Sequence, residues 1–283
     1  MVALLSFTHR KKCGLTLLWL LLMAVLCACS STKAALDDRS AAMYDMRPET
    51  VLEKITRSDR NILKAMANIE VHHGSGRYSI KAAIIIKRPS FMRVEAIPVI
   101  GPVNFFLSVH EDVLKIFSPQ KGIFYIGKAT PDNLVNTVDF FPSGLRIEDL
   151  LSVMFGSYPH VSEKNVSLGG SMEGHLYRVD MIAEGRRLQS VWVDLSTHHL
   201  VEVRVYNDRG SASYTARFEE FDTSGSPAVP LKVTLASGIA DNHPSKVIIR
   251  YSDIQFATDA EAFTFDLQVP PGIEPVYLDR VKP

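Results

Sequence analysis

"FMRVEAIPVIGPVNFFLSVH", Phe91 to His110, is the stretch on which the reading of the fold turns. Its first part alternates. Met92, Val94 and Ala96 are apolar, and Arg93 and Glu95 between them are charged. Its last part does the same, with Phe105, Leu107 and Val109 on one side. A two-residue period of this kind is that of a strand with one face in a core and one in water. Between the two strands stands an uncharged loop. Pro98 and Pro102 bracket Val99, Ile100 and Gly101, where most hairpins carry Asn, Asp or Ser. From the residues alone two readings stand: the loop folds back onto the protein's own core, or it protrudes as an apolar tip.

The same period continues on both sides. Upstream, "MANIEVHH" and "RYSIKAAIIIK" read as strands joined through Gly74-Ser75-Gly76. Downstream come "DVLKIFS" and "GIFYIGK", then, after an interruption, "HLYRVDMI", "LQSVWVDL", "LVEVRVY", "SYTARFEEF", "PLKVTLAS" and "KVIIRYSDIQF". Val201, Val203 and Val205, then Tyr214, Ala216 and Phe218, then Leu231, Val233 and Leu235 each alternate with polar residues. The interruption is helical. Thr130 is placed to cap a helix that Pro131 opens. Ile147, Leu150, Leu151 and Met154 recur at helical spacing, with Glu148 and Asp149 in the first turn and Gly156 at the stop. Pro48 and Glu49 open a further helix at the front, its apolar face Val51, Leu52 and Ile55, which Ile62, Leu63 and Met66 would extend. The last strand read is "AFTFDL", followed by a Pro-Gly extension.

The expected fold class is mainly β (α+β). About 11–12 strands form a curled antiparallel half-barrel with a helical lid, because so many strands do not stay flat and open. Strand alternation then nominates an apolar lining: Met92, Val94, Ala96, Phe105, Leu107, Val109, Tyr177, Val179 and Met181. Leu150, Leu151 and Met154 would be the lid face. Each of these also fits plain core packing.

The chain begins with a basic stretch, His9 to Lys12, then a 12-residue apolar core, "LTLLWLLLMAVL", too short to be an ordinary membrane span. It ends at Leu26-Cys27-Ala28-Cys29, which resembles the bacterial lipobox. Residues 1–28 then read as a lipoprotein signal peptide, 29–47 as a polar tether and 48–283 as a single domain. An ordinary secretory signal is the plainer alternative. The three cysteines are Cys13, Cys27 and Cys29, so no disulfide is available downstream. Cys29 is left for lipid, with a diacylglycerol and an N-acyl chain expected on it. Ser30 and Ser31 after it favour the outer membrane.

Lys and Arg number 31, as do Asp and Glu. Loss of Arg10, Lys11 and Lys12 leaves a net charge of about −3 and no basic run, so nucleic acid is not an expected partner. No hydrolase, metalloprotease, P-loop or dinucleotide signature is present. Catalytic residues, a metal and a cofactor are therefore expected to be none. His72-His73 and His198-His199 are adjacent pairs, and neighbours on a strand point to opposite faces.

Taken together, the lipobox, the tether, the leading helix and the curled sheet with its helical insert and uncharged loop resemble the LolA/LolB superfamily of lipoprotein carriers and outer-membrane lipoprotein receptors. The resemblance covers Pro48 to Gly272. "VEAIPVIGPVNFFLSV" resembles the receptor's strand-loop-strand, and "GLRIEDLLSVMFGSYP" its following helix. "AFTFDLQVPPGIEPV" is more similar to the carrier side, a departure from a pure receptor. The resemblance implies that Pro98, Val99, Ile100 and Gly101 form a protruding membrane-insertion loop with Ile100 at its tip. It also implies a cavity for acyl chains such as palmitate. The implied partners are acylated lipoproteins or lipids, a periplasmic carrier and the outer membrane, with the chain acting as a monomeric transport chaperone. An arginine that holds the lid shut is implied too, with no position in the sequence to match it. A different function stays open: a lipid-anchored envelope scaffold, or a carrier of another lipid.

Overall fold

The computed structural model describes residues 47–56, 61–138, 141–142, 144–224, 228–238, 244–257, 259 and 261–280. The signal segment, Cys29 and the tether before Arg47 lie outside the described residues.

Among the described residues fourteen strands form a single sheet. The first arm is a meander: β1 (Ile62–His73), β2 (Gly76–Lys87), β3 (Phe91–Ile97), β4 (Phe105–His110), β5 (Val113–Ser118) and β6 (Ile123–Lys128). The chain then makes two helices, α2 (Pro131–Thr137) and α3 (Ile147–Met154), preceded in sequence by α1 (Pro48–Thr56). The second arm is β7 (Ser167–Glu173), β8 (Leu176–Ala183), β9 (Arg186–Asp194), β10 (His199–Tyr206), β11 (Ala212–Asp222), β12 (Val229–Ser237) and β13 (Ser245–Ala257). Strand β14 (Val276–Tyr277) closes the list. The spatial order is β14-β6-β5-β4-β3-β2-β1-β13-β12-β11-β10-β9-β8-β7. The chain thus runs outward to β6, crosses by way of the helices to the far edge, and returns inward until β13 pairs with β1. All neighbours are antiparallel except β14, which lies parallel to β6. The two ends of the sheet do not meet, so the half-barrel is unclosed.

Its inner face is a largely apolar layer. The cross-strand row Ile249, Ile69 and Ile80 and the row Ala65, Ile84, Val94 and Leu107 both lie on it, fixed by the register. Tyr214, Ala216, Phe218, Val233 and Leu235 continue the layer on the second arm, all buried. Each Val, Leu, Ile or Phe side chain in the layer contributes about 1.5–3 kcal/mol by leaving water.

Three expectations are corrected. Ile62, Leu63 and Met66 belong to β1 and not to a helix. Ile62 and Met66 fall on the face opposite Leu63, and Ile62 is buried there against Phe265, so apolar residues on both faces mimic a helical period. Ala262–Phe265 is a 3-10 turn, not a strand. It covers the outer face of β3 to β5, where Phe265 is fully buried, Arg93 Nη1 donates to the Thr264 carbonyl at 3.1 Å, and Lys115 Nζ lies 2.6 Å from Asp266 Oδ1. Ser108 Oγ donates to the Phe265 carbonyl. The strand count exceeds the expected 11–12 because β7 and the two-residue β14 carry little alternation to read.

The helices begin where local chemistry starts them. Thr130 is extended, its side chain accepts from Asn133 N at 3.3 Å, and Pro131 follows. In α3, Glu148 and Asp149 lie in the first turn, and Gly156 leaves the helix with φ +73°. A Cβ on Gly156 would stand 2.5 Å from the Pro230 ring, so the site needs glycine twice over.

Candidate functional site

Helix α3 lies over the inner face of the first arm. Leu150, Leu151 and Met154 are buried there, as are Met92, Ala96, Leu107 and Val109 beneath. Between helix and sheet is a cavity of about 60 Å³ with a wholly apolar lining. Met92, Val94, Phe105 and Leu107 line it from β3 and β4, Leu150 and Met154 from α3, and Ile69, Ile80, Ile84, Val138, Phe141, Val247 and Ile249 complete it. Ala96, Val109 and Leu151 share these faces without reaching the cavity.

Tyr177, Val179 and Met181 are also buried on the inner face, but elsewhere. β8 is eight strands from β3 in the sheet. There Tyr177 lies across Gly170, where a Cβ would be 1.9 Å from its hydroxyl oxygen. Burial, and then the charge of Glu49 on α1, push the Tyr177 phenol pKa up. Gln189 Nε2 donates to the Pro159 carbonyl at 3.3 Å and lies 3.7 Å from Met181 Sδ. The structure therefore gathers β3, β4 and α3 around one cavity and leaves the β8 residues in a separate part of the core.

The β3–β4 loop stands out from the sheet. Val99 is fully exposed and Ile100 is 89 % exposed. Gly101 takes φ +98°, and a Cβ there would meet nothing within 4 Å. Ile97 and Ile80 are each 36 % exposed beside it, and Tyr78 is 64 % exposed. Ile80 is at once a lining residue of the cavity and part of this surface. It marks a mouth where the cavity lining reaches the protein surface.

Few polar contacts fix α3, and they sit at its ends. At the N-terminus Arg146 holds Asp149 in a two-pronged pair, 2.8 Å and 3.2 Å, and reaches the His160 carbonyl at 3.3 Å. The Tyr214 hydroxyl is buried opposite Asp149 without a hydrogen bond of sound geometry. Burial and then the Asp149 carboxylate raise its pKa strongly. At the C-terminus the Tyr251 hydroxyl donates to the Met154 carbonyl at 3.1 Å. Just beyond, the Arg88 guanidinium stands 4.3 Å over the Phe155 ring. Burial lowers the Arg88 pKa, and its Nε is buried with no hydrogen-bond partner among the described residues. Sequence reasoning missed Arg88, whose only local signal is the Pro89 after it.

Among the described residues no group of His, Cys, Asp and Glu could hold a metal. His72 bonds to Glu70, and His199 stacks on Phe221 with centroids 4.0 Å apart. No helix of the described residues is long and apolar enough to cross a membrane.

No protein-family model matches the sequence, and no curated protein does. Solved structures do match by shape. A DUF1329 family protein from Desulfovibrio piger aligns at TM-score 0.54 with 10 % identity, over 77 % of this chain and 96 % of that one. A LolA superfamily protein from Nitrosomonas europaea aligns at 0.52 with 12 % identity, over 78 % and 98 %. An outer membrane lipoprotein-sorting protein domain from Vibrio parahaemolyticus aligns at 0.51 with 13 % identity, over 77 % and 95 %. The chain has a LolA/LolB-like fold.

Proposed function

We propose that this chain is an outer-membrane lipoprotein, anchored through lipid on Cys29, that receives the acyl chains of other lipoproteins beneath α3 and delivers them to the membrane. One observation carries the reading. An exposed apolar tip, Val99 and Ile100, stands on the loop that joins β3 and β4, two of the strands that line an apolar cavity roofed by a helix with few polar ties. Hand-over of this kind needs no covalent chemistry, so the chain is read as a binding protein and not an enzyme.

At about 60 Å³ the cavity is a seat and not yet a room, since ligand sites measure roughly 300–1,000 Å³. α3 would act as a lid and move. The energies allow it. The fourteen methylenes of a palmitoyl chain gain about 11 kcal/mol on burial, at about 0.8 kcal/mol each. Uncovering Ile147, Leu150, Leu151 and Met154 costs about 6–12 kcal/mol at about 1.5–3 kcal/mol each. The two nearly balance, which suits a protein that must both take and release.

The near-filled cavity equally supports the second reading, an envelope scaffold that uses the apolar loop on a protein partner. Native mass spectrometry of the mature chain from Ser30, purified without detergent, separates them. One acylated species per chain supports the lipid handler. A chain still empty after incubation with acylated lipoproteins overturns it in favour of the scaffold.

A further inference from the structure

Strand β2 is paired on both flanks for only part of its length. β1 follows it throughout, from Gly76 opposite His73 to Lys87 opposite Ile62. On the other flank β3 ends with Ile97 opposite Lys81, and the chain turns off at Pro98. Gly76 to Ile80 is therefore an open edge within the sheet, beside the mouth.

The turn tells which backbone groups face outward. Gly74 has φ +56° and begins the two-residue loop Gly74-Ser75, so His73 and Gly76 are the bonded pair that closes the hairpin. Bonded pairs alternate along an antiparallel ladder. Gly76, Tyr78 and Ile80 thus bond to β1, while Arg77 and Ser79 direct N–H and C=O groups to the open flank. Among the described residues neither finds a backbone partner there. Proteins commonly cover or blunt such an edge. This one instead carries exposed Tyr78 and Ile80 on its inner side.

We propose that Gly76–Ile80 takes an extended peptide as an added strand, and that this peptide is the segment next to the acylated cysteine of a cargo lipoprotein. The inference rests on the acyl-chain reading above. Ile80 belongs to both the cavity lining and the open edge, so a cargo whose lipid enters the cavity leaves its peptide alongside β2. A strand added through main-chain bonds is read without regard to sequence, as a receptor of many cargoes requires. Lys81 on the outer side of the edge favours acidic residues in the peptide, while Arg77 beside it is paired with Glu70 at 3.0 Å. The stretch after Cys29 in this chain itself, "SSTKAALDD", ends in two such residues.

The test uses the mature chain from Ser30 and two probes: dipalmitoylglyceryl-cysteine, and the same lipid amino acid followed by the peptide SSTKAALDD. The tailed probe should bind roughly tenfold more tightly, and it alone should slow amide exchange at Arg77 and Ser79. Ser79→Pro, which removes an outward N–H, should bring its affinity down to that of the untailed lipid. A tail N-methylated at alternate residues should do the same on the unaltered protein, which keeps the test open if Ser79→Pro fails to fold. Equal affinity for the two probes, or unchanged exchange at Arg77 and Ser79, overturns the edge and leaves acyl binding standing. Binding of neither probe overturns both.

Discussion

The Arg88 guanidinium carbon lies 4.3 Å from the centre of the Phe155 ring, at the point where α3 ends. The turn that follows β2 thereby grips the segment that carries the helix over the cavity. A partly desolvated contact of this kind is worth about 0.5–2 kcal/mol. Arg88→Ala should lower Tm by a few degrees and, by making an open state cheaper, bind a fluorescent palmitate analogue more tightly and release it more slowly. Unchanged binding and release, with Tm lowered, would make Arg88 a purely structural contact.

The loop tip should behave in the opposite way. Val99 and Ile100 touch no core, so Ile100→Glu should leave stability within about 0.5 kcal/mol. The same change removes an apolar group worth about 1.5–3 kcal/mol in lipid. Flotation with phospholipid vesicles should therefore fall sharply while the melting curve stays in place. Unimpaired flotation by the variant would remove the loop from the proposed mechanism.

How much of this was legible in the sequence depends on what alternation can report. It gives the face of a strand, and for Tyr214, Ala216 and Phe218 the face is right, since all three are buried. It fails where the ladder slips. Val201 sits at a shift in the register of β10 on β9, and Leu200 takes the inner position opposite Val193. It says nothing for β7, "SLGGSME", whose glycines and serines carry no period. Nor does it give distance around the sheet, which is why it groups Tyr177, Val179 and Met181 with Met92 and Phe105 although seven or more strands lie between them. The uncharged loop was legible as an anomaly. The mouth at Ile80 was not, because it arises from β3 ending early against β2.

Gly170 offers a test of the second-arm packing. A Cβ there would stand 1.9 Å from the Tyr177 hydroxyl oxygen and 2.7 Å from the ring carbon that bears it. Tyr177 is buried and cannot simply swing out. Gly170→Ala should cost about 1–3 kcal/mol, as overpacking does, and lower Tm by several degrees. In a Tyr177→Phe background the same change should cost less, because the nearest atom is gone. Equal costs in the two backgrounds would show that the ring is not held over the glycine.

The C-terminal cover of the outer face should be acid-sensitive. The hydrogen bond from Lys115 holds the Asp266 carboxyl below its ordinary value of 3.8, with the charges of Lys115 and His110 adding to it. A carboxyl whose pKa is depressed by folding stabilises the fold above its unfolded value. It loses that contribution as pH falls through the folded value. The protection of amides near Phe265, exchange taken relative to the intrinsic rate at each pH, should therefore be high at pH 5 and above and should fall below about 3.8. Lys115→Met should flatten that acid dependence, since the partner that depresses the pKa is gone.

Tyr214 makes the last case. Its ring is wholly buried and its hydroxyl faces Asp149 without a sound hydrogen bond. A buried hydroxyl left unsatisfied costs about 1–3 kcal/mol, so Tyr214→Phe removes a burden while keeping the ring that fills the core. The variant should be as stable as the parent or more stable, by up to about 1 kcal/mol, read as an unchanged or raised Tm. The Arg146–Asp149 pair, which already satisfies both carboxylate oxygens, should persist. A Tm lowered by several degrees would instead mean that the hydroxyl does bond to Asp149 and helps fix the N-terminus of α3.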